Sequence, residues 1–558
     1  MSKKTLSCFF FPGAAFFLFF FWVHKIPLWS SDEGRYAEIA REALELKDFI
    51  VPHFNYLPHL EKPILAPLLT TFSFMLFGVN SLSARLPSIL SALAGIFMTY
   101  GFTRKLFNEK TAFYAALLLT TSIGYVLVGR FAVIDMILTL LFAGAFFCLM
   151  TACLQQKPPY YLAAYAFMGF AFLAKGLIGL ILPLLVFSVF LLWTGNLKEV
   201  RKMSLGWGIL ILGVIILPWV IAISLREPDF FDYFVIKSHF SRFAEASFGR
   251  KRPFWFFIPI LIGFSFPWSF FLPGALARTF KLEKEAQLKI RFLLTWIAVI
   301  FLFFSLSRSK LPYYLLPVSI PVAIFVATLF ADRESRRQGS GNFLDRWTWL
   351  AIVIFFIGTA AGLNIYLAIQ HSDPEMAALR PMAPGMALVL GGGGILAYGL
   401  RIKQSLNAGI FALAGTVYAG LIITIICMKI ISPFQSTFAF AQFLKPQLTD
   451  QDTVAVYASP DRFSDLIFYL ERRIMIAGSD WGTLSRVFEN PRMEAYGDKW
   501  FPSAEEFADL FDAKKSRIFC LTESERYQEL LNAGLNDYPV LKKEGGKIMI
   551  TNQKGPLS

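Results

Sequence analysis

Between Ser31 and Pro63 the chain sets Asp32, Glu33, Arg35, Glu38, Arg41, Glu42, Glu61 and Lys62 directly after its first apolar run. Ionisable groups beside a bilayer are costly unless they pair or do chemistry, so this cluster marks a candidate site. Carboxylates such as Asp32 and Glu33 can orient a reactant, stabilise a developing positive centre or take a proton. Neighbouring Arg and Lys side chains stabilise a departing anion where water is scarce. Helix capping offers a simpler reading, since acidic residues in a first turn complement the helix dipole. It accounts for one carboxylate and leaves Arg35, Glu61 and Lys62 in the same loop unexplained.

The rest of the chain is of a kind that holds such a loop against lipid. Of 558 residues 56% are hydrophobic and 16% charged, Phe alone contributes 61, and the mean hydropathy is +0.55. A soluble protein of this size needs more charge on its surface. Apolar runs of about 20 residues indicate transmembrane helices. The formal charge of +14 is spread over short connections and not gathered in one basic domain, which argues against nucleic acid and for the positive-inside rule. Cys8, Cys148, Cys153, Cys427 and Cys520 lie mostly in apolar runs and support no disulfide framework.

About thirteen spans are expected, near 8–28, 82–104, 111–129, 134–154, 160–175, 176–193, 205–225, 254–277, 291–307, 312–330, 347–370, 384–401 and 407–430. The first reads as a retained signal-anchor, because no small-residue cleavage site follows it. Connections holding Lys3/Lys4, Arg104/Lys105, Lys198/Arg201/Lys202, Arg278–Arg291, Arg333–Arg346 and Arg401/Lys403 fall on one side, which assigns that side and the N-terminus to the cytoplasm. Residues 29–81, 225–253, 308–312, 371–383 and the region after about 430 then face outward, into the periplasm of a bacterial cell. Lys175 reads as a snorkelling side chain between two spans. Arg85 reads as an anchor, and Arg130 as either an anchor or a phosphate contact.

In the first outer loop Tyr36, Ile39, Ala40, Ala43 and Leu44 follow helical spacing opposite Arg35, Glu38, Arg41 and Glu42. This predicts an amphipathic helix lying in the membrane interface, opened by a Ser30–Glu33 capping box, with a second interfacial helix from Pro63 to Phe77. From about 440 charged residues become frequent. Strands are expected at 454–456, 473–476, 517–521, 538–543 and 547–551, and helices at 461–472, 504–513 and 523–533. The domain division is therefore 1–440, a transmembrane domain with outer interfacial helices within 31–80 and 226–252, and 441–558, a small α/β domain outside the membrane.

The strings S-D-E-G-R-Y-A-E-I-A-R-E, D-F-I-V-P-H-F-N and L-E-K-P-I closely resemble those of the aminoarabinose transferases that modify lipid A. These are membrane glycosyltransferases of the C superfamily (GT-C), related to protein O-mannosyltransferases. G-R-F-A-V-I-D-M at 129–136, H-F-S-R-F at 239–243, P-F-W at 253–255, L-P-G-A-L at 272–276 and S-K-L-P-Y-Y-L-L-P at 309–317 follow in the family's order. The resemblance covers about the first 330 residues. It implies an α-helical polytopic GT-C enzyme of the bacterial inner membrane that transfers a sugar, 4-amino-4-deoxy-L-arabinose, from undecaprenyl phosphate to lipid A at the periplasmic face. It also implies Asp32 and Asp135 as catalytic carboxylates, with Glu33 beside them. Arg35, Lys62, Arg242, Lys310 and Tyr314 are the expected contacts to the lipid phosphate. Glu61 and His239 are candidate ligands of a divalent metal, zinc or magnesium, although a lone His more often hydrogen-bonds in the interface. Two other readings stay open: the same chemistry on another sugar or a protein hydroxyl, and a non-enzymatic lipid-sugar flippase. The flippase is disfavoured because the charges gather in outer loops and not at midplane.

Overall fold

Helix length and apolarity decide what crosses a bilayer. The computed structural model describes residues 3–234, 252–279, 284–335, 343–370, 372–403, 405–478, 481–484, 500–532, 535 and 538–553. Among them eight helices are long and apolar enough to span: Ser81–Leu106, Ile134–Gln155, Leu205–Arg226, Ala286–Leu306, Pro312–Ser335, Asp345–Ile369, Pro374–Lys403 and Leu406–Gln435. The pairs Glu109–Thr120 with Ile123–Gly129 and Phe254–Phe264 with Trp268–Thr279 bend by 62° and 102°, and raise the number to ten if each pair crosses once. Some of the thirteen expected runs are therefore broken or short. The long run around Lys175 splits as expected, into Pro159–Lys175 and Ile178–Thr194, at Gly176 with φ +80°. Ile134–Gln155 and Pro312–Ser335 lie deep in the bundle, whereas Leu205–Arg226 and Pro374–Lys403 leave most of their apolar surface for lipid. Arg130 is buried under the end of the first helix, Lys3–Phe20. Its guanidinium donates to the carbonyls of Leu18, Phe19 (3.0 Å) and Phe21 (2.7 Å), so it caps that helix and contacts no cavity.

The loop after the first span departs most from expectation. The helix Asp32–Glu45 does not lie on the membrane surface with its charges outward, because Glu33, Arg35, Glu38, Arg41 and Glu42 are all buried together with Ala37, Ile39, Ala40 and Ala43. The capping box is not formed either. Ser31 is the N-cap and makes no side-chain cap, while the Ser30 hydroxyl donates to Asp465 (2.5 Å), 435 residues away. Buried charge is tolerated only when paired. Arg41 donates to both oxygens of Glu38 (2.7 Å each), to Glu45 (2.5 Å) and to Tyr56 (3.2 Å). Glu42 accepts the Tyr56 N–H (3.0 Å), and its other oxygen has no hydrogen bond. Burial, reinforced by the adjacent Glu38, pushes the Glu42 carboxyl well above the usual carboxylate range. The second helix begins at Leu65, two residues later than the proline predicts, and turns Phe72, Met75, Leu76 and Phe77 outward.

What encloses the 32–45 helix is the C-terminal α/β unit. Its strands are β3 (Thr453–Tyr457), β4 (Met475–Ile476), β5 (Ile518–Glu523), β6 (Val540–Glu544) and β7 (Lys547–Thr551), after the short hairpin β1 (His53–Phe54) and β2 (Leu57–Pro58) of the first loop. The sheet order is β4-β3-β5-β7-β6, parallel from β4 to β5 and antiparallel through β7 and β6. These strands and the helices Ser464–Leu470, Ala504–Asp512 and Ser524–Asn532 lie within a few residues of their expected positions. The unit's core is shared, however. Ile39, Phe54 and Leu57 pack in the same buried cluster as Phe440, Val454, Leu466, Phe519 and Met549. Asn55, at the tip of the hairpin with φ +55°, extends this join: its amide donates to the Ile474 carbonyl (3.0 Å) and accepts the Ile474 N–H (2.9 Å).

The glycine of the S-D-E-G-R string, Gly34, has a steric reason. A Cβ there would sit 2.3 Å from the backbone nitrogen of Asp465, so only glycine lets the two helices approach this closely. Gly34→Ala is expected to lower the thermal unfolding temperature, with a cost of about 1–3 kcal/mol from overpacking. An unchanged melting curve would exclude the contact. Because the Glu42 carboxyl titrates higher in the fold than in the unfolded chain, its contribution to stability is complete at low pH and is lost as pH rises. The melting temperature should therefore fall as pH rises above the ordinary carboxylate range, and Glu42→Gln should flatten that slope.

Candidate active site

Where the 32–45 helix, the outer ends of the spans and the C-terminal unit meet, they enclose a cavity of about 420 Å³. Asp32, Arg35, Tyr36, Glu61 and Lys62 line it from the first loop, and Asp135 and Lys175 from two spans. Tyr313 and Tyr314 enter from the segment before Ser319, and Ser459, Asp461, Arg462 and Thr483 from the C-terminal unit. Asp32, Arg35 and Tyr36 reach it together because positions one, four and five of a helix lie near one face.

The polar groups are tightly ordered. Asp32 accepts from the Arg35 guanidinium through one oxygen and from the Tyr313 hydroxyl through the other. Arg35 also donates through Nη1 to Asp461 (2.9 Å), and its Nε is buried without a hydrogen bond. Burial disfavours the charge of Arg35, but Asp32 and Asp461 outweigh it and drive its pKa up. Burial, then the Asp32 carboxylate, raises that of Tyr36. On the opposite wall Lys175 pairs with Asp135, and its ammonium lies 4.7 Å from the Tyr314 ring centroid. Two carboxylates, each held by a cation and a nearby tyrosine, thus face one space.

Several expected site residues are elsewhere. Glu33 is 2% exposed and lies outside the cavity wall, with both oxygens on Arg85 (2.7 Å each), one also on the Trp29 N–H (3.0 Å) and the other on the Ala132 N–H (2.8 Å). Arg85 in turn donates to the carbonyls of Val23 (3.0 Å), Ile26 (2.6 Å) and Pro27 (2.9 Å). Glu33 is therefore a structural carboxylate, and Arg85 more than an anchor. Lys310 is buried beneath the cavity's tyrosine segment, where it donates to the carbonyls of Ser307 and Arg252 (3.3 Å), and burial lowers its pKa. It ties two connections together and is not itself among the residues that line the cavity. Arg242 and His239, with most of the expected 226–252 helix, lie outside the described residues. Glu61 lines the cavity beside Lys62, but among the described residues no three His, Cys, Asp or Glu side chains converge on a point.

Tyr36, Lys175, Tyr313 and Asp461 were not read as site residues from the sequence. Tyr36 follows Asp32 by four positions, and Tyr313 adjoins Tyr314 in the same string, so both carried a local signal. Asp461 carried none, being 426 residues from the arginine it holds.

A helical membrane bundle whose outer loop and C-terminal α/β unit enclose paired carboxylates and cations is the architecture of a polytopic GT-C glycosyltransferase. Residues 61–221 match the Dolichyl-phosphate-mannose-protein mannosyltransferase family. The undecaprenyl phosphate-α-4-amino-4-deoxy-L-arabinose arabinosyl transferase of Yersinia enterocolitica is 33% identical over 388 residues, 66% of this chain and 69% of that one. The crystal structure of ArnT from Cupriavidus metallidurans bound to undecaprenyl phosphate has the same fold, with a TM-score of 0.85 at 24% identity over the whole of both chains. Its apo form gives 0.83 at 25%. The chain belongs to the family of the undecaprenyl phosphate-aminoarabinose arabinosyl transferases.

The two adjacent acids of the S-D-E string should separate by experiment. Glu33→Ala leaves Arg85 buried with its carboxylate partner and two of its five hydrogen bonds among the described residues removed, and is expected to cost about 3–5 kcal/mol, read as a loss of folded yield and melting temperature in detergent. Asp32→Asn should melt within a few degrees of the parent. Equal stability of the two variants would refute this division.

Proposed function

We propose that this chain transfers 4-amino-4-deoxy-L-arabinose from undecaprenyl phosphate to a phosphate of lipid A, at the periplasmic face of the bacterial inner membrane. The observation that carries the reading is the cavity joining Asp32, Asp135, Arg35, Lys62 and Lys175 at the outer ends of the spans, in a chain of this family. The Lys- and Arg-rich short connections support a cytoplasmic N-terminus and a C-terminal unit on the opposite side of the membrane.

In the step, an oxygen of the acceptor phosphate attacks the anomeric carbon. The bond from that carbon to the donor phosphate oxygen breaks, and the lipid phosphate leaves with the electron pair. The acceptor is already ionised, so no base has to remove a proton. What the protein supplies is electrostatic. Lys62 and Arg35 line the cavity that receives the departing phosphate, where low dielectric strengthens their attraction. Asp32 and Asp135 stabilise the positive charge that grows on the sugar as the bond lengthens. Their orientation is set beforehand by Arg35 and Tyr313 on one side and Lys175 on the other, so little reorganisation accompanies the transfer.

Purified protein given radiolabelled undecaprenyl phosphate-aminoarabinose and lipid A should move label into lipid A with turnover. Asp32→Asn should lower kcat by roughly 100-fold or more while the protein remains inserted. Lys62→Ala should weaken donor binding, seen as a raised KM. Label that only changes leaflet, or transfer that Asp32→Asn leaves intact, would overturn the reading.

A further inference from the structure

The C-terminal unit does more than cover the cavity. Asp461 stands at the turn after β3, and its carboxylate is held on three sides. Oδ1 accepts from Arg35 Nη1 (2.9 Å) and from the Thr483 hydroxyl (2.8 Å), and Oδ2 accepts the Thr483 N–H (3.1 Å). Its backbone carbonyl accepts the N–H of Ser31 (2.7 Å), the residue before Asp32. Ser464, three residues on, donates its hydroxyl to the Ser31 carbonyl (2.9 Å). Ser31 itself has φ +74°, a backbone conformation that a serine adopts only when its neighbours impose it. One short stretch of the C-terminal unit thus fixes both the backbone that opens the helix and the guanidinium on its first turn.

The geometry points to Asp461 as a positioning residue for the transfer: it holds Arg35 through Nη1, so that Arg35 reaches Asp32 through Nη2 alone. Without a second carboxylate, Arg35 and Asp32 would close into a bidentate pair, the preferred geometry of guanidinium with carboxylate. That pairing would take Nε, or both Nη groups, onto Asp32. Asp461 prevents it by occupying Nη1. The chain Tyr313–Asp32–Arg35–Asp461–Thr483 therefore sets the direction of the reacting carboxylate. In this role Asp461 acts through Arg35. The inference rests on the reading of the cavity as the transfer site.

The test uses the full chain in nanodiscs. Asp461→Asn keeps a carbonyl oxygen for Thr483 and removes the charge that competes for Arg35. The expected result is a roughly 10- to 100-fold fall in kcat with donor KM changed less than about threefold, an unaltered melting temperature, and recovery of much of kcat in Asp461→Glu. In an Arg35→Ala background Asp461→Asn should cost nothing further, because both substitutions break the same link. Glu471→Gln, which removes the exposed Lys445–Glu471 pair of the same unit, should leave kcat unchanged. Additive losses in the double variant would overturn the proposal. So would an electron cryo-microscopy map of Asp461→Asn in which Arg35 keeps its single-Nη contact to Asp32, whatever the transfer assay gives. Absence of transfer by the parent protein would instead overturn the reading of the function.

Discussion

The Glu33–Arg85 pair is the interaction on which the rest of the structure depends. It is a fully buried salt bridge in which each partner also has backbone bonds to satisfy its remaining valence, so neither charge is left to pay for its own desolvation. It joins three pieces of chain that are far apart in sequence. These are the descent of the first span through Val23–Pro27, the start of the span at Ser81, and the turn at Ala132 that leads into Asp135. With those three clamped, Asp32 and Asp135 are brought to opposite walls of one space. The acid next in sequence to Asp32 is thus occupied in making the place where Asp32 can act.

The same economy of charge runs through the outer half of the molecule. A helix carrying seven ionisable side chains from Asp32 to Glu45 is held in a setting that excludes most water, and almost every charge on it has a specific opposite. Arg41 answers Glu38 and Glu45, Arg85 answers Glu33, and Arg35 is shared between Asp32 and Asp461. Glu42 is the exception, and burial beside Glu38 pushes its carboxyl well above the usual carboxylate range. Such a helix has no stable resting place on a membrane surface, and its polar face acquires meaning only when the C-terminal unit closes over it.

How much of this was legible in the sequence follows from the range of the interactions. Bilayer-length apolar runs, the hairpin at Gly176 and the alternating strands and helices after 440 are local patterns, and they were readable. So was the concentration of Asp32, Arg35, Glu61 and Lys62, which all lie within one loop. Helical periodicity also showed that Asp32–Glu45 has a polar face, but periodicity reports two faces without saying what covers them. The expected covering was water and headgroups, and the actual one is protein. The assignments that moved share this cause. Glu33 went to a partner 52 residues away, Lys310 to carbonyls near and far, and Asp461 came in from 426 residues away. A motif string places such residues in a family order and leaves their partners unstated.

The shared core between the first outer loop and the C-terminal sheet also orders events during synthesis. Residues 32–62 leave the ribosome early, and the stretch 459–483 that completes the cavity leaves after every span has been made. Throughout that interval the early loop has its acids and no wall, so it cannot grip a lipid phosphate in a fixed geometry. The cavity wall is complete only once the C-terminal unit has folded onto the first loop.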